Sequence, residues 1–407
     1  MRPKLLYASF DIVPAPKGAA VHIEQFCNAL AKKFGSLLLV TIEVNEAGRS
    51  SSDELQNKSY GRLPVAAIEH VRLPAPGVNL LDRVNHFRRY LELWWGDRYV
   101  DIAHFRSPFE GLWIAQQKGK RVGALVFEVN GLPSIELKYR YPQVAEDSVF
   151  LEKLIRQEDF CLNAADLVIT PSRVTKEYLQ SRAVPSSKIR VIPNGVDLNL
   201  FKFDAPASLH SDGKTRMLYF GTLSAWQGVE HAVALLADPE LNLELRVIGA
   251  GKVQQIEELK LLAAKMNVSD RLAILPVCSQ QELVAHLHSS HLVLALLSAN
   301  DRNLVQGCCP FKIIEAMAAG RPLLSTSLPV VHEISGDEPS IFTAKAGSIG
   351  SLRDTVKQIL SSPEESFAYA ARARRRIEET YNLECTTRLL TESYEDLLNA
   401  SLSNSLR

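Results

Sequence analysis

Lys312 and Glu315 stand three residues apart in PFKIIEAMAAGRPLLSTS, residues 310–327, one cation and one carboxylate in an otherwise apolar run. The segment predicts a helix that opens at Pro310. The free backbone N–H groups and positive dipole end of such a helix make an anion site, to which Lys312 adds a full charge. Glu315, one turn in, can accept two hydroxyls, such as the 2′ and 3′ hydroxyls of a ribose. Its other reading is a carboxylate that only complements the helix dipole. Ala316, Ala318, Ala319 and Gly320 permit close packing, and Gly320 is placed to cap the helix.

A matching element lies near the start. PAPKGAAVHIEQFCNAL, residues 14–30, follows an apolar strand and opens a helix, where Gly18 and Ala19 let the backbone approach a phosphate closely. His22, on the first turn, reads as a surface residue or as an acceptor-side candidate. VIGAGKVQQ, residues 247–255, gives G-x-G after a strand, but Gln254 takes the third glycine's place, which argues against a nicotinamide dinucleotide site. No P-loop, H-E-x-x-H, nucleophile elbow or EF-hand loop occurs. No acidic pair or His/Cys cluster is spaced to hold a cation, so neither a metal nor a cofactor is expected.

These groups need elements to hold them. Short apolar runs alternate with helix-period segments along the chain, which predicts βα units and parallel sheets. Expected strands in the first half are 5–10, 37–42, 102–104, 124–129 and 167–170. In the second half they are 217–220, 245–248, 272–275, 292–297, 322–325 and 340–343. Being apolar without alternation, they predict sheets covered on both faces. The turn-rich stretch 192–216 reads as a linker between two Rossmann-like, doubly wound domains, 1–200 and 201–380. A helical tail, 381–407, is expected to pack back across the junction. Paired domains of this kind are expected to face each other across a ligand cleft.

Composition bounds the partners. The chain has 407 residues, 46% hydrophobic and 23% charged, with 46 basic and 46 acidic side chains. That balance gives no global field for nucleic acid, and the basic runs 83–89 and 372–376 read as solvated helix faces. The six cysteines lack metal-ligand spacing and read as buried, reduced thiols of a cytoplasmic protein. A strand starts within the first residues, leaving no room for a signal peptide, and no apolar run is long enough to span a membrane.

Seven collinear motifs carry a resemblance: PKGAAVHIEQF, EVNGLP, AADLVITPS, IPNGVDLNLF, YFGTLSAWQGVE, RVIGAG and CPFKIIEAMAAGRPLLST. Over nearly its whole length the chain resembles family 4 glycosyltransferases of the GT-B fold. The resemblance implies transfer of a sugar from a nucleotide-diphosphate donor, a UDP-sugar by default, to a polysaccharide, lipid-linked or small-molecule acceptor, usually with retention and without metal. Carried over, Glu315 holds the donor ribose. Pro310, Phe311 and Ile313 at the helix start, with Gly18 and Ala19, hold the diphosphate, and Val277 and Cys278 lie near the base.

The chain departs from the family pattern in three places. Gly307 stands where many members carry the first of two glutamates. Thr222 and Gln227, in the loop opened by Gly221, stand where many carry an arginine and a lysine, which leaves Lys312 to compensate. The P-x-K-x-x-E-x-M-A-x-G pattern resembles that of one branch of the family. Arg106 stands where relatives often carry a donor-contacting histidine. It reads as a catalytic group that binds the acceptor or a donor hydroxyl, or as a salt-bridge residue, and His104 as an acceptor-side or core residue. Glu128, a catalytic candidate, and Asn130, an acceptor-side one, line the same wall. An alternative function is a catalytically idle nucleotide-sugar-binding subunit or sensor. Residues 80–95 predict a basic amphipathic helix that either lies peripherally on the inner membrane face or packs on the first domain.

Overall fold

The computed structural model describes residues 2–15, 17–43, 67–205 and 213–405. Pro16 of the first anion segment and residues 206–212 of the expected linker lie outside them. The chain divides into two compact units, Met1–Pro193 with Thr386–Arg407, and Asn194–Cys385. The division falls at Pro193 rather than at residue 200. Asn194 donates to the Cys309 carbonyl at 2.5 Å, and the Val196 amide bonds Tyr381, so the intervening residues belong to the second unit.

In the first unit, β1 (Leu5–Ala8), β2 (Leu37–Ile42), β3 (Ile68–Leu73), β4 (Val100–Phe105), β5 (Val122–Glu128), β6 (Leu167–Thr170) and β7 (Ile189–Val191) pair in parallel. Their order is β3-β2-β1-β4-β5-β6-β7. The order reverses between β1 and β4, the switch point at which open α/β sheets leave a crevice beyond the strand ends. The helices are α1 (Gly18–Phe34), α2 (Leu80–Trp95), α3 (Pro108–Gln116), α4 (Pro133–Arg140), α5 (Ser148–Ala164) and α6 (Arg173–Ser181), with α14 (Leu383–Ser405) returning at the end. One sheet face packs Tyr7, Ile102, Ala124 and Val126 against Ile23 and Phe26 of α1 and Leu390 and Tyr394 of α14.

The apolar stripe of α2 is buried through Val84, Phe87, Leu91 and Trp95. Arg88 donates to the Pro108 and Phe109 carbonyls, and Arg83 to that of Ala75. Each fully buried side chain of this size contributes about 1.5–3 kcal/mol, so lifting the stripe onto a membrane would forfeit several kcal/mol. The packed reading of this helix is the one observed. No described helix is long and apolar enough to cross a membrane.

The second unit repeats the plan. Strands β8 (Thr215–Phe220), β9 (Leu243–Ile248), β10 (Leu272–Leu275), β11 (Leu292–Ala295), β12 (Leu323–Thr326) and β13 (Phe342–Ala344) form a parallel sheet ordered β10-β9-β8-β11-β12-β13. Its switch point lies between β8 and β11. Helices α7 (Val229–Leu235), α8 (Val253–Lys265), α9 (Gln280–His288), α10 (Phe311–Ala318), α11 (Pro329–Ser335), α12 (Ile349–Ser361) and α13 (Pro363–Arg376) connect and flank the strands. The basic run at the end of α13 is not simply solvated. Arg372 donates to the Pro339 carbonyl, and Arg374 to those of Phe201 and Ala318. The last of these bonds satisfies a carbonyl at the carboxyl end of α10.

All six cysteines are free; Cys27, Cys161, Cys308 and Cys309 are buried, whereas Cys278 and Cys385 are half-buried.

Candidate active site

The first unit gathers its chemistry around Glu128, the last residue of β5. Strand pleating puts alternate residues on one face. Tyr7 pairs His104 and His104 pairs Val126 across the ladder, so Tyr7, His104 and Glu128 share the face covered by α1 and α14. Glu128 Oε2 accepts from the Tyr7 hydroxyl at 2.7 Å and lies 3.0 Å from His104 Nε2. Oε1 accepts from Arg106 Nε at 2.9 Å, lies 2.8 Å from His22 Nε2 and takes a short hydrogen bond from Asn130.

Burial alone would raise the Glu128 carboxyl, but the charges of His22 and Arg106 and the histidine hydrogen bonds hold it well below the usual range. It is therefore a permanent carboxylate whose lone pairs are committed. Such a group orients its donors rather than shuttling protons. His104, fully buried, is pushed toward the neutral form by desolvation, and its Nδ1 lies 2.7 Å from the Tyr394 hydroxyl of α14. A neutral ring that donates from Nε2 to the carboxylate accepts at Nδ1, so Tyr394 donates.

Arg106 extends outward from this carboxylate, with Nη1 donating to Asp11 at 3.0 Å, and Asp11 also holds Lys17 at 2.6 Å. Lys17 and Arg106 outweigh the burial of Asp11 and keep it ionised. Asp11 follows β1 and Arg106 follows β4, so the pair marks the switch point. The salt-bridge reading of Arg106 is realised, while its partners place it at the strand tips. His22 corrects the sequence expectation. It is 3% exposed, because α1 lies across the sheet and turns that face of its first turn inward. Gly18, exposed, and Ala19, half-buried, open α1 after Lys17, whose side chain provides no cap.

The second unit gathers its groups where β8 ends and α10 begins. Pro310 precedes α10 as its N-cap residue, without a side-chain cap and with no acid in the first turn. Gly320, just beyond the helix, adopts φ +78°, the left-handed conformation expected of a capping glycine. Ile313 is fully buried and its amide already donates to the Pro310 carbonyl at 3.1 Å, so the free N–H groups of this helix start precede it. Lys312 is 8% exposed, and its Nζ lies 3.1 Å from the Tyr219 hydroxyl, 2.5 Å from Gln227 Oε1 and 4.2 Å from the Tyr219 ring centroid. Burial first, and Arg302 second, lower its pKa to about 7.

Glu315 is equally buried, which raises its carboxyl to about 7. Among the described residues its carboxyl makes no hydrogen bond. Gly221 explains how Lys312 fits. Its φ is +123°, and a Cβ there would stand 3.3 Å from Lys312 Nζ. A Cβ on Gly249 would stand 1.8 Å from the Gly221 carbonyl oxygen, so the tips of β8 and β9 close together only as glycines. Thr222 is exposed, and its carbonyl accepts from the Tyr219 hydroxyl. Val277 and Cys278, both half-buried, follow β10 at the same end of the sheet, two strands from β8. The second unit thus brings Lys312, Gly221 and Gln227 into contact and sets Glu315 one turn behind.

Asp11, Tyr7 and Tyr394 in the first unit, and Tyr219, Trp226 and Arg302 in the second, escaped the sequence reading. A buried tyrosine in an apolar strand carries no local signal that separates a hydrogen-bonding role from packing. Among the described residues no group of three or more His, Cys, Asp or Glu side chains is arranged to hold a metal ion.

Comparison with known proteins gives a consistent picture. The model of Glycosyltransferase Family 4 matches residues 16–200, and that of Glycosyl transferases group 1 matches residues 201–376. The amylovoran biosynthesis glycosyltransferase AmsK of Erwinia amylovora is 24% identical over 57% of this chain and 56% of its own length. The GDP-mannose:cellobiosyl-diphosphopolyprenol alpha-mannosyltransferase of Xanthomonas campestris is 30% identical over 38% of this chain and 39% of its own. The matched stretches therefore span about half or less of these relatives. Solved structures align over more. Sucrose-phosphate synthase from Thermosynechococcus elongatus gives a TM-score of 0.77 at 18% identity, over 98% of this chain and 100% of that one. Anabaena HepE in complex with UDP-glucose gives 0.70 at 16%, over 97% and 100%. These neighbours establish the GT-B fold.

Proposed function

The chain belongs to the GT-B glycosyltransferases, and from that premise we propose that it moves a sugar from a nucleoside-diphosphate donor to an acceptor hydroxyl, with retention and without a bound metal. The bond between the anomeric carbon and the β-phosphate oxygen breaks. A bond to the acceptor oxygen forms, the acceptor proton passes to an oxygen of the departing diphosphate, and the nucleoside diphosphate is released. Charge grows on that diphosphate, so stabilising it is the main catalytic task.

One observation carries the reading. A buried lysine with neutral partners sits at the mouth of α10, and a buried carboxyl without a hydrogen bond sits one turn behind it. Both are costly in an empty site and favourable once a diphosphate meets Lys312 and ribose hydroxyls meet Glu315. The α10 amide at Phe311 adds to this anion site, and the amides of Gly18 and Ala19 at the start of α1 offer a second anion site within the first unit. Arg106, steered by Glu128, supplies a cation to the acceptor side, with His22, His104 and Asn130 as its support. A UDP-sugar is the first donor to test, supported by the UDP-glucose complex of HepE. A GDP-sugar is the second, supported by the name of the Xanthomonas relative, which also supports a lipid-linked carbohydrate acceptor.

The test is donor hydrolysis by purified protein, run with UDP- and GDP-sugars in chelator. Slow release of nucleoside diphosphate from one donor is expected. A product formed on added acceptor should keep the donor's anomeric configuration by NMR. Donor binding with no release, with or without acceptor, would favour the idle subunit.

A further inference from the structure

The loop after β8 lacks the two cations expected there, since Thr222 and Gln227 occupy their places. The structure shows what stands nearby instead. Arg302 lies between β11 and α10, and its guanidinium sits 5.2 Å from the centroid of the Trp226 ring. Its Nη1 donates to Asn303 Oδ1 at 2.9 Å. Asn303 is itself fully buried and fixed, its Nδ2 donating to the Ser298 carbonyl at 2.8 Å. Arg302 therefore rests on a rigid shelf rather than waving in solvent.

Trp226 and Gln227 are consecutive residues of one short turn, Ala225–Gln227. Trp226 underlies Arg302, while Gln227 holds Lys312 at 2.5 Å. The turn is tied to the strand-end loop beyond β11 by the Ser298 amide, which donates to the Trp226 carbonyl at 2.9 Å. Two cations of the segment running from β11 into α10 are thus each held by one residue of the same turn in the β8 loop, an aromatic ring for Arg302 and an amide for Lys312. They are close enough that Arg302 disfavours the charged form of Lys312. Among the described residues Lys312 makes no ion pair. Like charges brought together at a helix N-terminus, with neutral groups as the cradle of one of them, favour an anion with charge to share between them.

We propose that Arg302 is the second diphosphate-binding cation of this chain, acting with Lys312, so that both cations come from the segment leading into α10. Trp226 and Gln227 of the β8 loop serve as their supports. This rests on the nucleoside-diphosphate reading given above. A guanidinium held over an indole by cation–π attraction keeps several N–H donors, which suit two oxygens of one phosphate or of adjacent phosphates.

The experiment is calorimetric titration of wild type, Arg302→Gln and Arg302→Lys with UDP, GDP, uridine, guanosine and inorganic pyrophosphate. Wild type binds one diphosphate more tightly than its nucleoside. Arg302→Gln should weaken that diphosphate and pyrophosphate by about 10–150-fold, the range for a hydrogen bond to a charged group, and leave the nucleoside unchanged. Arg302→Lys keeps the charge but not the fork and should show a smaller loss, again confined to phosphate. If Arg302→Gln does not fold, Arg302→Lys decides alone. Unchanged diphosphate affinity in a folded variant overturns the proposal. So does an equal loss for nucleoside and diphosphate, which would make Arg302 a structural support. Failure of wild type to bind any nucleoside diphosphate would instead overturn the donor reading itself.

Discussion

Lys312 Nζ lies 3.1 Å from the hydroxyl of Tyr219, a residue 93 positions earlier in the chain. The contact holds a cation against the tip of β8 at the switch point of its sheet. If that cation stabilises the departing diphosphate, Lys312→Ala should lower kcat as well as raise KM, because phosphate charge grows toward the transition state. A loss of about 10–150-fold in kcat/KM is expected from the missing charged hydrogen bond. Steady-state kinetics on the donor substrate, with melts to check folding, measure it. Near-normal turnover would move the role to another cation, with Arg302 next in line.

Glu315→Gln should act differently. The ribose is remote from the breaking bond, so its loss weakens ground and transition states alike. KM should rise by roughly tenfold or more with kcat nearly constant. A fall in kcat of the same size would place Glu315 in the chemical step.

Stability should carry the imprint of the same two groups. Lys312 titrates near 7 in the folded chain against 10.5 in the open chain. From about pH 7 to 10 the unfolded form therefore binds more protons, and stability rises with pH. Glu315, raised to about 7 from 4.5, acts oppositely. From about pH 4.5 to 7 the folded form binds more protons, and stability falls as pH rises. The unliganded protein should thus show a dip in melting temperature near neutrality. Lys312→Met should abolish the recovery above pH 7, and a wild-type profile that stays flat across this range would contradict the assignment.

Glu128→Gln tests the first unit. It keeps the shape but leaves Arg106 with Asp11 alone and turns one oxygen, an acceptor of several donors, into a competing amide. Breaking a buried charge network of this kind costs about 3–5 kcal/mol. For a unit of this size that is a fall of roughly 6–20 °C in melting temperature. A change under a few degrees would mean that His104, Tyr7 and Arg106 hold their places without it.

Chelator should leave turnover unchanged, since Lys312 and the α10 amides are proposed to take the part a divalent cation would play. Activity lost in EDTA and restored by magnesium or manganese would refute this.

The local part of this protein was legible in its residues. Unbroken apolar runs such as LLLVTI and LVLA, spaced by helix-length segments, determined doubly wound parallel sheets, because a strand buried on both faces has no polar side to show. PFKIIE, a contiguous segment, determined the cation and carboxyl at the mouth of α10. Strands β3 and β7 escaped the reading. They lie at the two edges of their sheet, where Glu69, His70, Arg72 and Arg190 face partly outward and break the apolar signal. Only tertiary structure decided who meets Glu128 and Lys312. Tyr394 reaches His104 across 290 residues, and Arg302 finds Trp226 because β8 and β11 are neighbours although two strands separate them in the chain. Hydrophobic periodicity fixes which face a residue shows. Strand order and register fix which residue it faces, and those emerge from the packing of the whole unit.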